Sequence, residues 1–304
     1  MIYTMTLNPS IDYIVQVEQL HLGELNKIDA DAKYPGGKGI NVSRILERLG
    51  TDSTALGLLG GFTGDFIEDW LQKDNIKTDF IRVQDDTRIN IKLKSDTETE
   101  INGRGPHIST EEANLLLEQL KNVTDQDVVI LSGSKPPSLP ENFYETIAAM
   151  VIQSKAEFVI DTASKELQSI LPLQPLLVKP NKEELAQIFD TTIEDTDDII
   201  LYGKKLLQLG AKNAIVSMAG EGAMLFTQTG VFKGISPKGK VVNSVGAGDS
   251  MIAGFIANYL NTKDTVEAFK QGMASGSATA FTNDLATKAQ IDTLLDQMEV
   301  QVLS

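Results

Sequence analysis

The sequence predicts an α/β protein built on a mostly parallel central sheet, and three observations carry that prediction. Short apolar runs alternate along the chain with segments of helical period. The runs are continuous and do not alternate with polar residues, as strands covered on both faces require. Small-residue turns follow several of the runs, at strand carboxyl ends where ligand sites open in α/β sheets. With 304 residues the chain can bury a large core.

In chain order, residues 2–7 form the first apolar run. Residues 12–34 lack a helical period and read as strands with one wet face. Val42, Ile45, Leu46 and Leu49 then recur at i, i+3, i+4 and i+7, which predicts a helix from near Ile40 to Gly50. A second buried strand is expected over 54–59. Over 87–102, Ile89, Ile91 and Leu93 alternate with polar neighbours, the pattern of another half-wet sheet. Residues 111–121 carry Ala113, Leu116, Leu117 and Leu120 on one helical face. Runs at 128–131, 158–160, 176–178, 214–218 and 223–226 supply further strands. No repeat, low-complexity tract or linker interrupts the chain, so one domain with two inserted β segments is expected.

Composition narrows the function. The formal net charge of −15 repels nucleic acid and anionic membrane surfaces. The absence of cysteine excludes disulfides and thiolate metal sites, and His21 and His107 are too few for a histidine site. No apolar run reaches the roughly 18 residues of a membrane span, and the first residues lack a basic leader. A cytoplasmic location is expected. An acidic protein acting on anions must gather its cations locally, which draws attention to Lys38, Arg88 and Arg104.

Two stretches carry the chemistry. Asn243-Ser244-Val245-Gly246-Ala247-Gly248-Asp249-Ser250 opens an amphipathic helix. Gly246, Ala247 and Gly248 leave backbone N–H groups uncovered at a helix start, where an anion is stabilised. Asp249 beside such a site suits a base that takes the proton of an attacking hydroxyl; the alternative is an ordinary helix N-cap. Pro35-Gly36-Gly37-Lys38-Gly39-Ile40-Asn41 precedes the helix of residues 40–50. Gly36 and Gly37 permit close backbone approach, and Lys38 and Asn41 add a cation and an amide. The spacing matches neither a P-loop nor a dinucleotide fingerprint.

Together the two stretches resemble the paired signatures of the PfkB carbohydrate kinases, and the resemblance runs through essentially the whole chain from residue 6. It implies a ribokinase-like three-layer α/β/α fold whose small β-lid is formed by residues 12–34 and 87–102, often also a homodimer surface. Residues 87–92 (Thr-Arg-Ile-Asn-Ile-Lys) and 100–106 most resemble the branch acting on fructose 1-phosphate. The implied reaction is ATP-dependent phosphorylation of its 6-hydroxyl to give fructose 1,6-bisphosphate. Tagatose 6-phosphate and fructose 6-phosphate are alternative acceptors. A non-catalytic regulator that binds sugar phosphate or nucleotide is the alternative of another class.

The resemblance also implies roles. Asp12 would accept hydrogen bonds from sugar hydroxyls, while Lys38, Asn41, Arg88 and Arg104 would hold the phosphate already on the sugar. Lys179, Asn181 and Glu184 would face the triphosphate, with Asn181 and Glu184 holding Mg²⁺ through water; taken alone, Asn181 and Glu184 read as a capping box. Ser217, Gly220 and Gly222 resemble a nucleotide-contacting loop, or else a hairpin turn. Ser275 and Gly276 fall near the expected adenine position, or else serve close helix packing.

Overall fold

The computed structural model describes residues 1–303. Strand β1 (Ile2–Thr6) lies inside a ten-stranded sheet, and the chain then leaves that sheet. Strands β2 (Ser10–Gln16) and β3 (Ala30–Gly36) pair antiparallel. Helix α1 (Lys38–Arg48) returns the chain to the main body. It starts two residues earlier than the apolar period implies, because Gly37, at φ 125°, serves as N-cap. Past its end Gly50 (φ 74°) donates to Glu47 O at 2.9 Å and Thr51 N to Leu46 O at 2.9 Å, the paired bonds of a left-handed helix stop.

Strand β4 (Ser53–Gly60), helix α2 (Gly61–Lys73) and strand β5 (Lys77–Val83) form the first parallel crossover. Strands β6 (Arg88–Lys94) and β7 (Glu98–Asn102) leave the main sheet again, and β6 runs parallel to β2. Helix α3 (Thr110–Gln119) leads to β8 (Val128–Ser132), which lies beside β1. Helix α4 (Phe143–Gln153), strand β9 (Glu157–Asp161), helix α5 (Ser164–Ile170) and strand β10 (Leu177–Val178) continue the winding. Helices α6 (Lys182–Ile188) and α7 (Thr196–Gln208) precede β11 (Ala214–Ser217), the last parallel strand.

From there the sheet reverses. Strands β12 (Ala223–Thr227) and β13 (Gly230–Ile235) are antiparallel, and after helices α8 (Ala247–Thr262), α9 (Thr265–Ala280) and α10 (Lys288–Leu295) the strand β14 (Glu299–Val302) pairs with β13. Seven parallel strands and three antiparallel ones give the order β14-β13-β12-β11-β10-β9-β8-β1-β4-β5. The sequence pattern misses β5, β13 and β14: each lies in the outer part of the sheet, and β5 buries only Phe80 and Val83.

Alternate residues of one strand enter different cores. Val129 and Leu131 pack under α3, α4, α6 and α7, whereas Val128 and Ile130 pack under α1, α8, α9 and α10. That is a helix–sheet–helix sandwich. The stripe of small residues lets α8 and α9 touch: a Cβ on Gly254 would lie 2.4 Å from Ser275 Oγ.

The second sheet has the order β3-β2-β6-β7. Its register sets Asp12 beside Asn90 and Asn90 beside Asn102. One face carries Asp12, Ile14, Lys92, Lys94 and Glu98 and closes a cavity whose opposite wall includes Asn41, Arg44 and Val245. The other face leaves Ile89 42% and Ile101 56% exposed.

Candidate active site

Asp249 stands in the first turn of α8, 6% exposed, at the carboxyl ends of the parallel strands. It does not cap the helix. Gly246 (φ 79°) is the N-cap, with no side-chain cap bond, so the capping alternative gives no account of Asp249. Asn41 Nδ2 on α1 donates to Asp249 Oδ2 at 2.8 Å. Burial, and the negative charge of Asp161, push the Asp249 carboxyl up to about 6, against the opposing pull of Lys38, Asn41 and Lys179. A carboxylate that is ionised at neutral pH yet more basic than usual is suited to accept a proton.

Around it lies a compact set of charges. Asp161, at the end of β9, is 4% exposed and lies 3.0 Å from Lys38 Nζ and 3.8 Å from Lys179 Nζ. Burial alone would raise its pKa, but the two lysines hold it below the ordinary aspartate value. Burial disfavours the Lys38 ammonium, and Asp161, Asp249 and Glu184 overcome this, so its pKa is raised. Two buried carboxylates therefore face two lysines at one point of the sheet.

The turn before α8 fits these groups. A Cβ on Gly248 would come 2.9 Å from Lys179 Nζ, so a larger residue there would push the ammonium away from the turn. Ala247 departs from the sequence expectation. Its N–H bonds Ser244 O at 3.2 Å, closing the turn, and is not offered to an anion. The N–H groups of Gly246 and Gly248 lie ahead of the helical ladder.

A family comparison identifies the architecture. The model of the pfkB family carbohydrate kinases matches residues 5–291. The chain belongs to that family. This kinase is 50% identical over 300 residues to a 1-phosphofructokinase of Bacillus subtilis, covering 99% of both chains. It is 42% identical over 303 residues to a 1-phosphofructokinase of Borreliella burgdorferi, covering 99% of this chain and 98% of the relative. Phosphofructokinase-2 of Escherichia coli, solved with substrates and products, superposes with a TM-score of 0.92 at 26% identity, over 97% of this chain and 98% of that one. The ribokinase-like α/β fold expected from the two signatures is the fold observed.

In this kinase the remaining expected residues divide into groups. Asp12 Oδ1 accepts from Ser10 Oγ at 2.8 Å and from Asn90 Nδ2 at 3.1 Å, which fixes the carboxylate. Gly36 is pressed against it: a Cβ there would lie 2.4 Å from Asp12 Oδ1. Gly37 abuts Thr6 at the end of β1. Arg88 Nη1 donates to Gly103 O at 3.0 Å, and its Nε is buried without a partner. Arg104 is exposed, and its carbonyl accepts from Asn8 Nδ2 at 3.2 Å; no bond of its guanidinium occurs among the described residues. Lys38 and Asn41, expected at the sugar's phosphate, bond Asp161 and Asp249 in this structure. Both bonds follow from the start of α1 lying beside α8 and the end of β9.

On the nucleotide side, Asn181 Oδ1 accepts from Glu184 N at 2.7 Å and Glu184 Oε2 accepts from Asn181 N at 2.8 Å, a complete capping box. A parallel bridge joins Asn181 to Ser217, so these two stretches are neighbours. Ser217 to Gly222 is the hairpin turn between β11 and β12, including Gly220; a Cβ on Gly222 would lie 2.1 Å from Gly234 O. Ser275 is fully buried with Oγ donating to Gln271 O at 2.8 Å, and Gly276 is packed against Ala247 O. Both take part in the packing of α9 against α8.

Sequence reasoning missed Asp161, Ser10 and Asn90. For Asp161 the signal was an acid ending a buried apolar run at a strand's carboxyl end. Asn90 could have been found as the polar partner facing Asp12 in the alternating stretch.

Proposed function

We propose that this kinase transfers the γ-phosphoryl group of ATP to the 6-hydroxyl of fructose 1-phosphate, giving fructose 1,6-bisphosphate. The observation that carries the reading is the buried Asp249 carboxylate, made basic by its surroundings and held by Asn41 beside a turn of glycine amides. The two full-length relatives support the choice of acceptor. Asp249 removes the hydroxyl proton as the oxygen approaches phosphorus in line. The Gly246 and Gly248 amides with Lys179 stabilise charge on the transferred group, while Asp161, itself held by Lys38, keeps that lysine oriented. Asp12, fixed by Ser10 and Asn90, takes the sugar hydroxyls; Arg88 and Arg104 take the phosphate at the far end.

Ser217, Gly220, Gly222, Ser275 and Gly276 border the nucleotide's base and ribose. Asn181 and Glu184 hold Mg²⁺ through water. Their oxygen donors suit that ion, and no group of three or more His, Asp or Glu side chains able to hold a metal occurs among the described residues, in keeping with an ion kept largely by water and phosphate. When bound, Mg²⁺ neutralises triphosphate charge. The four-stranded sheet acts as a lid on the single kinase domain and excludes water from the sugar. Its outer apolar face, with Ile89 and Ile101, pairs two copies into a homodimer. No helix among the described residues is long and apolar enough to cross a membrane, and we place the enzyme in the cytoplasm.

ADP release measured with fructose 1-phosphate, tagatose 6-phosphate and fructose 6-phosphate tests the assignment. The expected result is the highest kcat/KM with fructose 1-phosphate. A higher value with another acceptor overturns the substrate, and ligand-induced thermal shifts without turnover on any acceptor overturn the kinase reading in favour of a binding regulator.

A further inference from the structure

Helix α1 carries Asn41, Arg44 and Arg48 at i, i+3 and i+7, one stripe that meets the start of α8 at Asn41 and the 284–286 segment at the two arginines. Asn41 holds the catalytic base. Arg44, one turn on, is an arginine in the protein interior, its side chain only 2% exposed. Its guanidinium makes a forked pair with Asp284, Nη1 to Oδ1 at 3.1 Å and Nη2 to Oδ2 at 2.6 Å. The Nε lies 3.7 Å from Asp74 Oδ2 at the end of α2. Arg48 adds bonds to the carbonyls of Leu285 and Ala286.

The segment so held backs the anion turn. A Cβ on Gly246 would lie 2.6 Å from Leu285 Cδ2, and Asn243 Nδ2 donates to Asn283 O at 3.1 Å. A chain of bonds leads the same way: Ala286 N donates to Thr279 Oγ1 (3.1 Å), Thr279 meets Ser250 Oγ (2.8 Å), and Ser250 Oγ donates to Gly246 O (2.8 Å). Neither arginine bonds Asp249 or its partners. Burying a charge on this stripe is costly, and stability alone would be served as well by an apolar side chain.

We propose that Arg44, with Arg48, is a positioning residue: it clamps the 283–286 segment behind the Gly246 turn, so that the base and the amides share one frame set by α1. The inference rests on the phosphoryl-transfer reading but not on which ketohexose phosphate is the acceptor. A planar fork is needed because two oxygens of one carboxylate must be fixed together, which a lysine does not do.

The test compares Arg44→Lys and Asp284→Asn with the parent enzyme, on the acceptor the parent uses best, with thermal unfolding measured alongside. Both variants nearly keep side-chain size but weaken a buried charge pair, so some loss of stability is expected and kcat is compared at a temperature where thermal unfolding shows each variant folded. Positioning predicts kcat lowered about tenfold with KM for both substrates within about twofold, the pattern of an interaction felt in the transition state alone. It also predicts an upward shift of the acidic limb of kcat against pH, as Asn41 loses register with Asp249. In Arg44→Ala, added guanidinium should restore part of kcat. Unchanged kcat and pH profile, even with a lowered melting temperature, overturn the proposal and leave the proposed reaction standing; a parent without turnover overturns the reaction itself.

Discussion

Strand β9 carries a carboxylate–lysine pair at each end, and the two pairs differ in every respect that matters. At its amino end Glu157 meets Lys212 at 2.8 Å, both side chains about two-fifths exposed. At its carboxyl end Asp161, 4% exposed, meets the buried Lys179 and also Lys38, whose side chain reaches in from a 40% exposed position. Water screens the first pair, which contributes little. The second centres on a buried carboxylate and the buried Lys179, its charges act on Asp249 as well, and each group's protonation depends on the others. The same side chains thus decorate one end of a sheet and organise chemistry at the other, with solvent access as the difference.

The largest test of that contrast is Asp249→Asn, for which kcat should fall by about 10²–10⁴ while both substrates still bind. Unaltered turnover in steady-state assays would remove Asp249 from the reaction. The same change should stabilise the fold. The unfolded chain loses this proton at 3.8 and the folded one near 6, so the parent's stability falls as pH rises across that window and stays lower above it. Asparagine carries no such penalty, and denaturant titration at pH 7.5 should show a gain of up to about 2–3 kcal/mol. For the parent, kcat should decline as pH drops through about 6, because the base becomes protonated.

Next in size is Asp161→Asn. It leaves Lys179 buried without its counter-charge, and the expected loss of stability is about 3–5 kcal/mol. It also removes a negative charge that raises the Asp249 pKa, so the acidic limb of kcat should move to lower pH. A limb that stays in place or rises would contradict the coupling.

Away from that interior cluster, Arg88→Ala should weaken use of the sugar phosphate by about 1.5–3 kcal/mol in kcat/KM with ATP binding spared. An effect confined to ATP in the two-substrate kinetics would move Arg88 to the other ligand. The smallest effect belongs to the amino end of β9. Lys212→Ala should change unfolding free energy by less than about 1 kcal/mol and leave kcat alone. A larger loss would erase the contrast between the two ends.

Much of the fold was legible because buried strands leave an unbroken apolar signature, as at 128–131, and because Val42 to Leu49 repeat with a helix period. Outer strands such as β5 and β14 were not, since they bury few residues and their sequences read as loops. The glycine turn and Asp249 were readable as chemistry because they occur together with the stretch Pro35 to Asn41, and the pair resembles the two signatures of one kinase family. Lys38 and Asn41 were recognised as site residues, but their bonds to Asp161 and Asp249 were not legible, for these partners lie 123 and 208 residues away in the chain.

By itself the sequence determined the class of fold and the family, and it singled out Asp249 and the turn beside it as the candidate for proton transfer, since each depends on residue types within a short stretch. Which carboxylate each lysine meets, the basicity of Asp249 and the clamp from Arg44 to Asp284 were decided only by tertiary structure. Those properties come from distance and dehydration between segments far apart in the chain, and neither quantity is written in local residue order.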